Sequence, residues 1–185
     1  MNKKFGIKEV VAMGIGTALF VVLTNVQIPL VFIPNTALQP RMAVLAFFSA
    51  IFGPIVGGVV GFLGHALGDA LFYGSVWWSW VFPEAVVGVA IGMFVKKYGV
   101  EEGKFVDAKA ITFFNVVQVV ANAFAWIVVA PVLDILVYQE PANKVFIQGA
   151  FAFLGDIIII GILGSLLLVA YSRIAGKSSN LKVEE

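Results

Sequence analysis

Residues 51–80 read IFGPIVGGVVGFLGHALGDALFYGSVWWSW. Within this stretch His65 and Asp69 are the only imidazole or charged side chains, four residues apart and therefore on one helical face. Gly57, Gly61, Gly64 and Gly68 follow a helical period, and the run closes on Tyr73, Trp77, Trp78 and Trp80. A surface helix of a soluble protein carries a polar face opposite its apolar stripe; this segment has none, so its surroundings are apolar all round. The whole chain agrees. Its 185 residues are 61% hydrophobic and 12% charged, with mean hydropathy +1.00, where an ordinary soluble domain carries about 25% charge. A core of this size cannot hide so much apolar surface from water, whereas a bilayer can. Soluble enzymes, nucleic-acid-binding domains and disordered regulators are excluded. The absence of cysteine excludes disulfides and thiolate metal sites.

A membrane crossing needs about 20 apolar residues, which leaves room for about six spans in a single domain, residues 1–185. The expected fold is an all-α integral membrane bundle of six transmembrane helices, at about 8–26, 40–53, 55–72, 77–95, 110–133 and 144–171. The apolar run after Lys3, Lys4 and Lys8 exceeds the roughly 7–15 residues of a secretory h-region and lacks a small-x-small cleavage site, so it reads as a retained helix. Pro29, Pro34 and Pro40 make Ile28 to Pro40 a long, partly apolar, non-helical loop folded back on the protein. Pro83 either kinks the fourth helix or marks its start. Asp134 to Asn143 reads as a loop, with Pro131 near the end of the fifth helix.

The cations set the topology. With both termini cytoplasmic, Lys3, Lys4, Lys8, Lys96, Lys97, Lys104, Lys109, Arg173, Lys177 and Lys182 face inward, and only Arg41 and Lys144 face out. That asymmetry is the positive-inside pattern and predicts a multi-pass protein of the plasma membrane.

Polar side chains in hydrocarbon are expensive and ask for a partner or a purpose. They are His65, Asp69, Glu84, Asn115, Gln118, Asn122, Gln148 and Asp156, most of them in the outward half of the membrane. His65 and Asp69 form either a neutralising pair or a ligand-contacting one. Asn115, Gln118, Asn122 and Trp126 share a stripe: interhelical hydrogen bonding suits Asn115, and a polar cavity suits Asn122 and Trp126. The tryptophans at 77, 78 and 80 cannot all face one way; some belong to an interfacial belt, others suit a planar heteroaromatic molecule. One histidine without cysteine offers too few ligands for zinc, so no metal and no cofactor is expected. No nucleophile–base set stands at a convincing spacing, so no catalytic residue is expected. On helix one, Ala12 with Gly16 and Gly14 with Ala18 are small-xxx-small pairs that allow close helix approach.

Three stretches, VVAMGIGTALF (Val10–Phe20), the 51–80 segment and MFVKK (Met93–Lys97), together resemble a substrate-binding S component of an energy-coupling factor (ECF) vitamin transporter, in a branch linked to hydroxymethylpyrimidine or pyridoxine-like substrates. The likeness spans nearly the whole chain. It implies capture of a vitamin on the outer side under the first loop, then docking on a transmembrane T component coupled to two ATP-binding cassette ATPases. The substrate would be released inward as the S component topples in the membrane. The resemblance implies a pocket built from Asn35, Gln39, Arg41, His65, Asp69, Trp77, Trp78, Glu84, Asn122, Trp126 and Gln148, and docking through Ala12, Gly14, Gly16 and Ala18. The chain has no GxxxxGK[ST] phosphate loop, so ATP hydrolysis falls to the partners. The competing expectation is a self-sufficient proton-coupled carrier using Glu84, Asp156 or the His65–Asp69 pair.

Overall fold

The computed structural model describes residues 6–29 and 37–181. Asn35 lies outside the described residues. The described chain is helical apart from turns and one small ribbon. Helix α1 is Ile7–Leu23, α2 Arg41–Phe52, α3 Pro54–Phe72, α4 Trp78–Gly92 and α5 the short Val95–Tyr98. Two long rods complete it: α6, Ala108–Tyr138, and α7, residues 142–181. Among the described residues, three helices are long and apolar enough to cross a membrane, Pro54–Phe72, Ala108–Tyr138 and Ala142–Lys177. Leu67, Leu71, Val120, Phe151, Ile158 and Ile162 are among many large apolar side chains left on their outer faces, a surface suited to hydrocarbon.

Local sequence explains the boundaries. Gly53, at φ +97°, joins α2 to α3, a left-handed turn that favours glycine. Pro54 then opens α3, where its missing N–H is no loss. Pro40 caps α2. Pro83 lies inside α4, which begins five residues earlier at Trp78. The first loop is pinned at its base: Ile28–Pro29 (β1) pairs antiparallel with Ala37–Leu38 (β2), Ile28 opposite Leu38. Leu38 seats against Gly155 of α7, with a methyl carbon where a Cβ on that glycine would stand.

The fifth helix does not end at Leu133. Instead α6 passes through π-helical turns at Phe124–Val129 and Asp134–Tyr138, absorbing Pro131 rather than stopping at it. The expected loop from Asp134 therefore begins only after Tyr138, and Asp134 sits buried on a helix wall.

Glycine sets the α3–α4 contact. A Cβ on Gly57 would strike the Gly88 carbonyl, one on Gly92 the Pro54 backbone, and one on Gly61 would lie 2.6 Å from the Glu84 carbonyl oxygen. Helix α1 packs on α3 in the same manner, Phe20 filling the space over Gly64 and Thr24 that over Gly68. At the end of the bundle away from Asp69, Tyr98 is fully buried and donates to the Ile91 carbonyl at 2.9 Å. Phe105 and Phe114 meet it edge-on, and burial pushes its phenol pKa up, keeping it a neutral donor.

Candidate binding site

At the other end, where α1, α3 and α6 finish and α2, α4 and α7 begin, the helices enclose a cavity of about 600 Å³. Its floor is a chain of buried polar groups. Arg41, at the first position of α2, donates from Nη2 to Glu84 Oε1 at 3.0 Å and from Nη1 to Thr24 Oγ1 at 3.2 Å. Its guanidinium lies 4.8 Å from the centre of the Phe20 ring. The glycine contacts that seat Phe20, Thr24 and the Glu84 backbone against α3 thus also fix this cation.

His65 stands one turn beyond Gly61. Its Nδ1 is 3.0 Å from Glu84 Oε2 but off the line of a hydrogen bond, and its Nε2 is 3.4 Å from Asp69 Oδ1. Asp69 accepts the backbone N–H of Trp77 at 3.0 Å, holding the start of α4 against the end of α3. Arg41, His65, Asp69 and Glu84 are each at least 95% buried. Asp156, buried on α7, adds a further carboxyl to this field.

The walls are aromatic, and one carboxylate orients two of them. Asp134 accepts the indole N–H of Trp77 at 2.8 Å on one oxygen and that of Trp80 at 2.8 Å on the other, and also the Ser79 hydroxyl. Trp77 stacks on Tyr138 with ring centres 4.4 Å apart and planes 19° from parallel. Trp80 meets Trp126 edge-on at 5.3 Å. Gly149 of α7 lies against the Trp126 carbonyl, which leaves no room for a Cβ there. At the mouth, Gln39 donates to Gln27, which donates to the Tyr73 hydroxyl, and Lys144 pairs with Glu140 at 2.7 Å.

The cavity lining includes Gln39, Arg41, His65, Asp69, Trp77, Glu84, Trp126 and Gln148. Two other residues expected in it stand elsewhere. Trp78 points to the outer face, tilted over Phe62 at 5.9 Å, because residues one apart on a helix diverge by about 100°. Asn122 is buried behind the wall and donates to the Gln118 carbonyl at 2.8 Å. Gln118 in turn donates to the Ile157 carbonyl, and Asn115 to Ser165, so these two amides tie α6 to α7 while Asn122 bonds within α6. Trp80, Asp134 and Asp156 line it as well. The signal for Trp80 was its i+3 spacing from Trp77; that for Asp134 was an acid one turn beyond Ala130-Pro131 on a helix that Pro131 does not end.

The small residues of α1 divide between two faces. Ala12 and Gly16 are buried, Gly16 against Val60 and Phe48, so this pair serves internal packing. Gly14 and Ala18 lie on the exposed face with Val11, Ile15 and Leu19, and nothing lies within 4 Å of a Cβ placed on Gly14. Among the described residues no cluster of histidine and carboxylate side chains has the arrangement of a metal site.

Comparison with known proteins gives a coherent result. A UPF0397 protein of an Exiguobacterium species is 47% identical over 180 residues, covering 97% of this chain and 98% of the relative. One from Streptococcus gordonii is 49% identical over 178 residues, 96% and 95% of the two chains. Another, from Lactococcus lactis subsp. cremoris, is 47% identical over 185 residues, 98% and 100% of the two chains. No solved structure matches. The profile of the ECF-type riboflavin transporter S component family matches residues 4–173, and the chain, a transporter subunit rather than an enzyme, belongs to that family.

Proposed function

We propose that the protein is the substrate-capture subunit of an ATP-driven ECF importer, spanning the plasma membrane six times with both termini cytoplasmic. The observation that carries this reading is the cavity: about 600 Å³, walled by Trp77, Trp80 and Trp126 and floored by buried, ion-paired side chains. Small-molecule sites fall in the range of roughly 300–1,000 Å³, with apolar walls and a few convergent polar groups. Arg41 and Lys144 stand at the cavity end, whereas Lys96, Lys97, Lys104 and Lys109 stand at the other. The positive-inside rule then turns the cavity outward, the side from which an importer loads.

The substrate is a small heteroaromatic vitamin or precursor of the hydroxymethylpyrimidine or pyridoxine type, its ring faced by indoles and its edges bonded by the polar floor. The family's name brings riboflavin as the competing ligand, and a flat flavin would also use indole walls. Transport needs a T component and two ATPases. The exposed Gly14–Ala18 face of α1 is the docking surface, since Ala12 and Gly16 are occupied within the bundle.

Mass spectrometry of the molecule that co-purifies with the protein, followed by calorimetric titration of hydroxymethylpyrimidine, pyridoxine and riboflavin, tests the capture role. Binding of none of them overturns it. A Gly14→Leu/Ala18→Leu double variant is expected to lose co-purification with the T component while ligand affinity stays within about twofold; equal complex yield places docking elsewhere. The buried His65–Asp69–Glu84 group favours one rival, a stand-alone proton-coupled carrier. That rival requires uptake in liposomes without partners that collapses with the proton gradient.

A further inference from the structure

We propose that the end of the bundle opposite the tryptophan-walled cavity carries a second binding site, a lysine-lined recess between α5 and the start of α6 that holds the phosphate headgroup of an anionic phospholipid.

Where α4 runs into α5 and the chain returns to begin α6, the structure forms a recess of about 610 Å³. Lys96 and Lys97 of α5, Lys104 of the following turn and Lys109 of the first turn of α6 line it, against two carboxylates, Glu102 and Asp107. Asp107 is engaged in capping α6, its Oδ1 accepting the Lys109 backbone N–H at 3.0 Å. Among the described residues no ion pair joins these four ammonium groups to a carboxylate, whereas Lys8 and Lys144 are paired with Glu101 and Glu140. Four converging cations repel one another, and an anion set between them relieves the repulsion.

The recess is held in shape by its backbone. Gly99, at φ +60°, ends α5, and its carbonyl accepts the Lys104 N–H at 2.9 Å. A Cβ on Gly99 would stand 2.9 Å from the Lys104 Cβ, so the turn folds Lys104 back over the end of α5. The loop is pinned to α7 by the Phe105 N–H, which donates to the Ser172 hydroxyl at 3.1 Å, and by Gly103 lying against Gly176. Lys97 Nζ stands 5.5 Å from the Phe94 ring centre and 5.3 Å from that of Phe113, a cation–π seat that keeps its charge beside the recess.

The surroundings select a lipid over a soluble anion. Lys109, Phe113, Val116 and Val120 recur at four, three and four residues and share one face of α6. Lys109 and Phe113 line the recess, while Val116 and Val120 are exposed along the membrane span. This face leads from lysines into hydrocarbon, the order of a phospholipid's headgroup and acyl chains, and basic pockets beside membrane helices are suited to such headgroups. Free phosphate would use the lysines and leave the apolar face idle.

Native mass spectrometry of the detergent-purified full-length protein, titrated with dioleoylphosphatidylglycerol, dioleoylphosphatidylcholine and glycerol 1-phosphate, tests the site. The phosphatidylglycerol is expected to bind as a one-to-one adduct at least tenfold tighter than the phosphatidylcholine of equal chain length. A lysine beside an anionic headgroup favours binding by about fivefold, so Lys97→Gln/Lys104→Gln is expected to bring that preference below threefold. Arg173→Gln/Lys177→Gln removes two exposed cations of the same end that lie outside the recess, and is expected to keep the preference. Equal binding of the two lipids by the parent overturns the proposal, as does an equal loss in both double variants, which would mark a diffuse attraction to the whole basic end. Glycerol 1-phosphate binding as tightly as the phosphatidylglycerol also overturns it, making the site one for a soluble phosphate. Should Lys97→Gln/Lys104→Gln fail to fold, Lys96→Gln/Lys109→Gln takes its place with the same expected loss.

Discussion

The two ends of the α3–α4 pair are built on opposite principles. Towards Gly57, Gly88 and Gly92 the helices meet backbone to backbone, and beyond them Tyr98, Phe105 and Phe114 close the bundle with rings and buried hydrogen bonds to the Ile91 carbonyl and the Ser172 hydroxyl. Towards Asp69 and Trp77 the same two helices carry carboxylates, an imidazole and indoles, and they enclose space instead of removing it. Gly61 is where one regime passes into the other: the close approach that zips the dry end also sets the Glu84 backbone in place for Arg41 and His65. The dry end therefore serves as the rigid base on which a polar constellation can be held in a fixed geometry, as a preorganised site requires.

If that division is right, substitutions at the two ends fail differently. The largest effect is expected at Arg41→Ala, which leaves the buried Glu84 without its guanidinium partner and only the His65 imidazole beside it, a loss of about 3–5 kcal/mol. Thermal unfolding in detergent reads it, and Glu84→Gln added to Arg41→Ala is expected to restore a substantial part. A double variant no more stable than the single one would show that Arg41 acts through its packing on Phe20 rather than its charge. Gly57→Val comes next. Its side chain meets the Gly88 carbonyl and forces α3 and α4 apart, at about 1–3 kcal/mol, with the ligand affinity of the folded fraction unchanged. Stability lost together with affinity would mean that the dry end is no independent base.

Much of this arrangement is legible from the cost of polarity in hydrocarbon. His65, Asp69, Glu84, Gln148 and Asp156 are conspicuous because an apolar helix has no other reason to carry them, and all five line the cavity. Asp134 was hidden by a local rule: Pro131 reads as a helix end, and a carboxylate after a helix end reads as solvated. The π turns around Pro131 keep the rod going, and it is tertiary packing of α6 on α4 and α7 that makes this conformation hold. The amides fail in the other direction. Asn115, Gln118 and Asn122 share one stripe in the sequence, but a stripe shows only that they avoid lipid; whether they face space or another helix is decided by α7, whose Ile157 carbonyl and Ser165 hydroxyl take up the bonds.

The tryptophans give the finest division, within four residues. Trp77 and Trp80 are three apart, share the Asp134 carboxylate and border the cavity; Trp78 lies between them and leans on Phe62 at the outer surface. Trp77→Ala removes a ring stacked on Tyr138 and takes away one of the two donors to Asp134 Oδ1, leaving the Ser79 hydroxyl on it. Losing an aromatic wall and a charge-assisted hydrogen bond is worth about 1.5–3 kcal/mol, so ligand affinity is expected to fall by roughly 10- to 100-fold. Trp78→Ala removes a ring of equal size that touches neither the carboxylate nor the cavity. Its backbone N–H, which donates to the Tyr138 hydroxyl at 3.1 Å, is unaffected by the side chain, and affinity is expected to stay within about twofold of the parent. Calorimetric titration of both variants checks the pair. A loss at Trp78 matching that at Trp77 would show that the outer face of α4, and not only its cavity face, holds the ligand.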